Sequence, residues 1–206
     1  MTDYCLPHGY SSRMPEEYVE FDDGSIWQPD VYPLAVKVAR ERGCSRLIDV
    51  GCSDGRKLLG WADEFDLVGI DLPGHMPISD KRAYWLCHDL DSDTVLPLHK
   101  ESLTGAMIVC SDVIEHLVHP ERLVAALRSA LRYAGGLVLS TPDRNRVRGK
   151  GHMGPPQNPA HAREWTAEEL VGWVSSEGLK VNWWGWQRSN DQSDFEGTTV
   201  LVIAGA

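Results

Sequence analysis

The 206-residue sequence predicts a three-layer α/β fold on a doubly wound, mostly parallel sheet. Three observations predict it. The stretch Leu47-Ile48-Asp49-Val50-Gly51-Cys52-Ser53-Asp54-Gly55-Arg56 reads as strand, tight glycine turn and helix, the first βα unit of such a sheet. A second short strand, Asp66 to Ile70, ends on Asp71, about 20 residues past Gly51, where an acid can hydrogen-bond a ribose. Ala106 to Cys110 is an almost fully apolar run, as expected of a strand buried on both faces.

The elements follow in chain order. Residues 1–28 show no clear periodicity and read either as a frayed terminus or as an arm or lid. Tyr4, Tyr10, Tyr18, Phe21 and Trp27 are many aromatics for a disordered tail. Pro29 and Asp30 open a helix with Val31, Leu34, Ala35, Val38 and Ala39 on one face, ending at Gly43. After the first strand, the pattern predicts a helix over 57–64 and the strand 66–70. Leu72 to Lys81 carries Pro73, Gly74 and Pro77 and is a loop; Tyr84-Trp85-Leu86-Cys87 is the third strand. Ala106 to Cys110 is the fourth strand, with Ser111 and Asp112 at its carboxyl end. Pro120 suits the first turn of a helix whose stripe is Leu123, Val124, Leu127 and Leu131, and Gly135-Gly136 stops it. Leu137 to Ser140 is the fifth strand. Residues 141–165 form a long polar loop, of a length usually functional or disordered in a compact domain. Thr166 with Glu169 is a capping box, followed by the apolar face Leu170, Trp173 and Val174, and Gly178 ends that helix. Leu179–Trp186 and Thr198–Ala204 are the last two strands. The whole chain, 1–206, reads as one domain.

Composition narrows the function classes. A formal net charge of −10 argues against a large nucleic-acid surface, which needs a basic face. No run approaches the roughly 20 apolar residues of a membrane span, and the first residues lack the basic start and apolar stretch of a signal peptide. Five cysteines with no C-x-x-C spacing fit free thiols in a reduced, cytoplasmic compartment.

Asp49-Val-Gly51-Cys-Ser-Asp-Gly55, then Gly69-Ile-Asp71, His88-Asp89-Leu90 and Ser111-Asp112-Val-Ile-Glu115-His116 together resemble a class I S-adenosylmethionine-dependent methyltransferase. The likeness spans roughly residues 27–180; Ser53 stands where the family often has a third glycine. The resemblance implies a Rossmann-like methyltransferase fold, a seven-stranded sheet of order 3-2-1-4-5-7-6 with an antiparallel last strand. It implies S-adenosylmethionine as cofactor, held by Asp49, Gly51, Cys52, Gly55, Asp71, Leu72, Asp89, Leu90 and Ser111. Asp89 and the Leu90 backbone would meet the adenine. An alternative for Asp89 is a local turn cap with Asp91 and Asp93.

Methyl transfer needs an aligned nucleophile and, where the acceptor carries a proton, a base. Asp112, Glu115, His116 and His161 are the candidates. They could ligate Mg²⁺ or Mn²⁺ and so acidify an acceptor hydroxyl. Alternatively His116 or His161 acts as general base, or the group only fixes the loop. His161-Ala-Arg-Glu-Trp-Thr after Ser140-Thr-Pro resembles metal-dependent 2′-O-methyltransferases of small-RNA 3′ ends, and Glu115-His116 resembles ubiquinone-pathway O-methyltransferases. Arg144, Arg146, Arg148 and Lys150 read either as a solvated loop or as an anion site for a phosphate- or carboxylate-bearing acceptor. Trp165, Trp183, Trp184 and Trp186 read mainly as core or strand residues, with stacking on a sugar as the alternative. Gly51-x-Ser53-x-Gly55 also matches a hydrolase nucleophile turn, but that turn follows a strand deep in its sheet, not the first strand. The expected activity is O-methylation of a small molecule, a saccharide unit or natural-product intermediate. RNA 2′-O-methylation and a non-catalytic, cofactor-binding partner subunit are the alternatives.

Overall fold

The computed structural model describes residues 3–18, 26–192 and 196–204, with Phe21 outside them. Helix α1 (Val31–Glu41) precedes β1 (Arg46–Val50). Then come α2 (Arg56–Leu59), β2 (Asp66–Asp71), β3 (Ala83–Cys87), α3 (Lys100–Leu103) and β4 (Ala106–Ser111). A single 3-10 turn (Ile114–His116) leads to α4 (Pro120–Ala130) and β5 (Gly136–Pro142). The chain ends with α5 (Arg144–Arg148), α6 (Ala167–Ser176), β6 (Val181–Arg188) and β7 (Glu196–Ala204).

The seven strands form one sheet in the order β3-β2-β1-β4-β5-β7-β6. β1 to β5 are parallel, and β7 runs antiparallel to both neighbours. Alternation along the central strands sorts their side chains into two cores. Ile48, Ile108 and Leu139 face α4 and α6 through Leu123, Leu127, Leu170 and Trp173. Leu47, Met107, Val109 and Val138 face α1 through Val31, Ala35 and Ala39. Each fully buried aliphatic side chain contributes roughly 1.5–3 kcal/mol.

The differences from the sequence pattern have local causes. The helix expected over 57–64 stops at Leu59; Gly60 weakens it, and the chain continues in tighter turns (Trp61 N to Leu58 O, 3.0 Å). Asp30 does not cap α1 with its side chain; its carboxylate pairs with Arg188 (2.7 and 2.8 Å). The 141–165 stretch carries α5, capped by Asp143, which accepts from the Asn145 amide at 2.9 Å. The Thr166–Glu169 capping box is present with both its bonds.

Residues 3–18 lie against the loop before α6. Ser11 N donates to Met153 O (2.8 Å), Arg13 N to Ala162 O (2.9 Å) and Glu16 N to Pro159 O (2.9 Å). Tyr4 packs edge-on against Trp173, and its carbonyl accepts from Trp165 Nε1 (3.1 Å). Trp165 stacks on Trp173 within the core. Trp183, Trp184 and Trp186 lie on the edge strand β6, and none of them lines the main cavity.

Three of the four cations of the basic cluster are engaged by internal partners, which argues against its reading as an anion site, while Lys150 is exposed. Buried Arg144 donates to Glu164 O (2.8 Å) and Glu169 Oε1 (2.6 Å) and covers the Tyr10 ring. Arg146 stacks on Trp186 at 3.8 Å, and Arg148 forks onto the Glu164 carboxylate (3.0 and 3.2 Å). Their charges are met by internal partners rather than offered to an acceptor. Among the described residues, no helix is long and apolar enough to cross a membrane, and all five cysteines are free.

Candidate active site

A cavity of about 580 Å³ opens at the carboxyl ends of β1, β2 and β4. Its floor is the glycine turn. Gly51, Ser53 and Gly55 all have positive φ (82°, 46° and 70°), so the chain reverses within five residues. Ser53 therefore adopts at some strain the conformation that a glycine would take freely. A Cβ on Gly51 would overlap the Val113 side chain. Gly51→Ala is expected to lower stability by about 1–3 kcal/mol and to weaken cofactor binding at least tenfold. Thermal melting and a binding titration would read this. A variant with wild-type values in both would show that the turn tolerates a side chain.

Asp71 ends β2 with its carboxylate on the cavity wall. Oδ2 accepts from Ser53 N (2.7 Å) and Oδ1 from Leu72 N (2.6 Å), with His75 Nδ1 at 3.2 Å. Asp71 thus ties the turn after β1 to the end of β2 and borders the cavity. Cys52, Leu72, Asp89, Leu90 and Ser111 also line it. Asp89 caps its turn, its Oδ1 accepting from Asp91 N (2.9 Å), and the residue also borders the cavity.

Asp49 lies beneath this wall, almost fully buried. The Tyr32 hydroxyl donates to its Oδ2, while Oδ1 has no hydrogen-bond partner among the described residues. Burial pushes its carboxyl up to about 7, against the hydrogen bond from Tyr32. Asp112, in a left-handed conformation just past β4 (φ 54°), is pushed up to about 6, again by burial. Glu115 is raised well above the carboxylate range, by burial first and by the Asp112 charge second. Its Oε2 accepts from Thr141 Oγ1 (2.9 Å).

His116 and His161 meet edge to face, 4.7 Å between centroids. Carbonyl oxygens only accept, so His116 Nδ1 donates to Ala160 O (2.8 Å) and its Nε2 carries the lone pair. Burial lowers His116 to about 4, and the ring is neutral near pH 7. His161 is set by its neighbours. Ala160 N donates to Asn158 Oδ1 (3.0 Å), so the Asn158 amide donates to His161 Nε2 (3.0 Å), and His161 Nδ1 donates to Glu164 (2.8 Å). Glu115, His116 and His161 each bring one possible ligand atom to within 4.8 Å of the others. Asp112 stands outside that triplet, lining the cavity where it feels Lys57 and His161.

Several site residues escaped the sequence reading. Gln28, buried with φ 50°, accepts from Ser111 Oγ (2.5 Å) and Ser140 Oγ (3.0 Å) across the ends of β4 and β5. Tyr32, Lys57, Asn158 and Tyr18, which packs edge-on against His116, also line the cavity. No local spacing signals Gln28, Tyr32 or Asn158, whereas Lys57 sits just past the glycine turn and Tyr18 lies in the stretch read as an arm or lid.

Residues 26–182 match the family model described as a methyltransferase domain. A probable S-adenosylmethionine-dependent methyltransferase from Mycolicibacterium smegmatis is 27% identical over 136 residues, 66% of this chain. That match covers 52% of the relative, so this chain spans about half the length of the curated relative it matches. Among solved structures, the methyltransferase domain of bacterial CtHen1 superposes with a TM-score of 0.57 at 19% identity, covering 86% of this chain and 98% of that one. Magnesium protoporphyrin IX methyltransferase from Synechocystis, solved with bound SAH, gives 0.58 at 15% identity, covering 87% and 83%. At such identities the superpositions speak for the fold alone. With the glycine turn, the acid at the end of β2 and the strand order in place, the family match settles the identity: the chain belongs to the class I S-adenosylmethionine-dependent methyltransferases.

Proposed function

We propose that this methyltransferase transfers the methyl group to an oxygen of a small hydroxylated molecule, with a saccharide unit as the first acceptor class, and that His116 is the general base. The observation that carries this is the His116 ring. It lines the cavity with its Nδ1 proton fixed on Ala160 O, its Nε2 lone pair without a hydrogen-bond partner among the described residues, and burial keeping it neutral. When bound, the cofactor supplies an electrophilic methyl on a sulfonium, whose leaving group needs no proton. The protein must orient the acceptor, exclude water and take the hydroxyl proton. His161, whose two ring nitrogens are occupied, positions rather than reacts: with Asn158, Glu164 and Arg148 it holds the loop that bears Ala160.

The cavity fits the cofactor. Asp89 follows β3, Asp71 ends β2, the glycine turn follows β1, and Ser111 and Asp112 follow along β4. A linear molecule laid across them meets an acid for adenine, an acid for ribose, and then Asp112 on the wall, with the buried Asp49 beneath it, to favour its cationic groups. A cation favours the charged forms of these two carboxyls, whose own values are about 6 and about 7. Affinity should therefore rise with pH, by about 3- to 10-fold from roughly pH 6 to pH 8, with protons released on binding. Titrations in buffers of different ionisation enthalpy would show the release; heats indifferent to buffer and pH would separate both carboxyls from the ligand.

A second reading has one observation in its favour. Glu115, His116 and His161 could hold a divalent ion, Mg²⁺ or Mn²⁺, which would acidify an acceptor hydroxyl, including a ribose 2′-hydroxyl. Binding would require Glu115 to be ionised, which its burial and the Asp112 charge oppose, and His161 Nε2 to release Asn158. Screening hydroxylated acceptors and short RNAs with labelled cofactor, with and without chelation, decides between the two. Chelator-resistant transfer to a small alcohol supports the first; chelator-sensitive transfer to RNA supports the second. The free cysteines agree with a reducing, cytoplasmic setting.

A further inference from the structure

Lys57 follows the glycine turn directly, on the four-residue helix α2, half-buried and lining the cavity. Its Nζ lies 5.5 Å from the Tyr32 ring centroid and 3.5 Å from the Trp27 carbonyl oxygen. Its charge acts on both Asp49 and Asp112, so it stands near both. Yet among the described residues no carboxylate lies within salt-bridge distance of Nζ. The other cations on the cavity wall are committed, Arg56 to Asp54 (2.5 Å) and Arg148 to Glu164 (3.0 Å). A half-buried ammonium with only weak partners favours a counter-ion from outside the chain.

We propose that Lys57 is the residue that binds the carboxylate of the cofactor's amino-acid end, an assignment that rests on the cofactor reading above. S-adenosylmethionine is linear, and its amino-acid end is a zwitterion. With adenine toward Asp89 after β3 and ribose on Asp71 at the end of β2, that end extends over β1 and β4. The acids there, Asp49 and Asp112, suit the ammonium and repel the carboxylate. Lys57 is the cation placed to reverse that repulsion. The residue therefore confers selectivity for ligands that keep the carboxylate.

The test compares two ligands on two proteins, with no acceptor present. Calorimetric titration uses S-adenosylmethionine and its decarboxylated form, against the wild type and Lys57→Met, which keeps the length and apolar stem. Lys57→Met should lose roughly 10- to 100-fold in affinity for S-adenosylmethionine and less than about twofold for the decarboxylated form. Lys57→Arg should recover most of the loss. Equal losses for both ligands, or no loss for either, would overturn the proposal while leaving the cofactor reading intact. A wild type that binds neither ligand would instead overturn the cofactor reading, and this assignment with it. Unchanged circular dichroism and melting of Lys57→Met confirm that folding is not what is being measured.

Discussion

Asp71→Ala is expected to weaken binding of S-adenosylhomocysteine by about 2–4 kcal/mol, roughly 30- to 1,000-fold, the scale of one or two charge-assisted hydrogen bonds to a ribose. The loss has a second source. The same carboxylate accepts from the Ser53 and Leu72 amides, so removing it also loosens the glycine turn that forms the cavity floor. Asp71→Asn retains one acceptor oxygen and should fall between Ala and the wild type. Titration calorimetry measures the series directly. Affinity within twofold of the wild type in Asp71→Ala would remove this residue from the cofactor site.

His116→Ala should lower turnover at saturating cofactor by roughly 10²- to 10⁴-fold, the usual contribution of a general base, with cofactor affinity changed less than about threefold. Burial lowers the His116 ring to about 4, so the base is already deprotonated across the neutral range. Protonation of His116 should therefore leave no acid limb in the rate near pH 6 to 7, where an ordinary histidine of about 6.5 would leave one. Removing the ring also leaves Ala160 O without its donor, at a cost of about 1–3 kcal/mol in stability. Melting curves then separate a folding defect from a chemical one. A fully active His116→Ala enzyme would eliminate the residue as base. His161→Ala should act differently, by freeing Asn158 and Glu164 and so loosening the loop that positions Ala160.

The parts of the fold legible in the sequence were those whose signal is local. The glycine turn, the acid at the end of β2, the uninterrupted apolar run of β4 and the Thr166 capping box each state their structure within a few residues. The strand order came with the family resemblance rather than from any single pattern. What stayed hidden depends on long-range partners. Four cations within seven residues read as a basic patch until Glu164, Glu169, Trp186 and Tyr10 fold against three of them. Gln28 shows no local pattern, yet it joins Ser111 and Ser140, 83 and 112 residues away. His161 was visible as a candidate base, but the bonds that occupy both its nitrogens depend on how the Asn158–Glu164 loop closes on itself. α2 was overestimated because the helical spacing continues through Trp61 while Gly60 ends the helix.

Titration of the wild-type protein with S-adenosylhomocysteine tests the cofactor assignment most directly. One site with micromolar affinity, lost in Asp71→Ala, is the expected result. The absence of any binding heat across several temperatures, with the protein folded by circular dichroism, would mean that the cavity above the glycine turn is not a cofactor site.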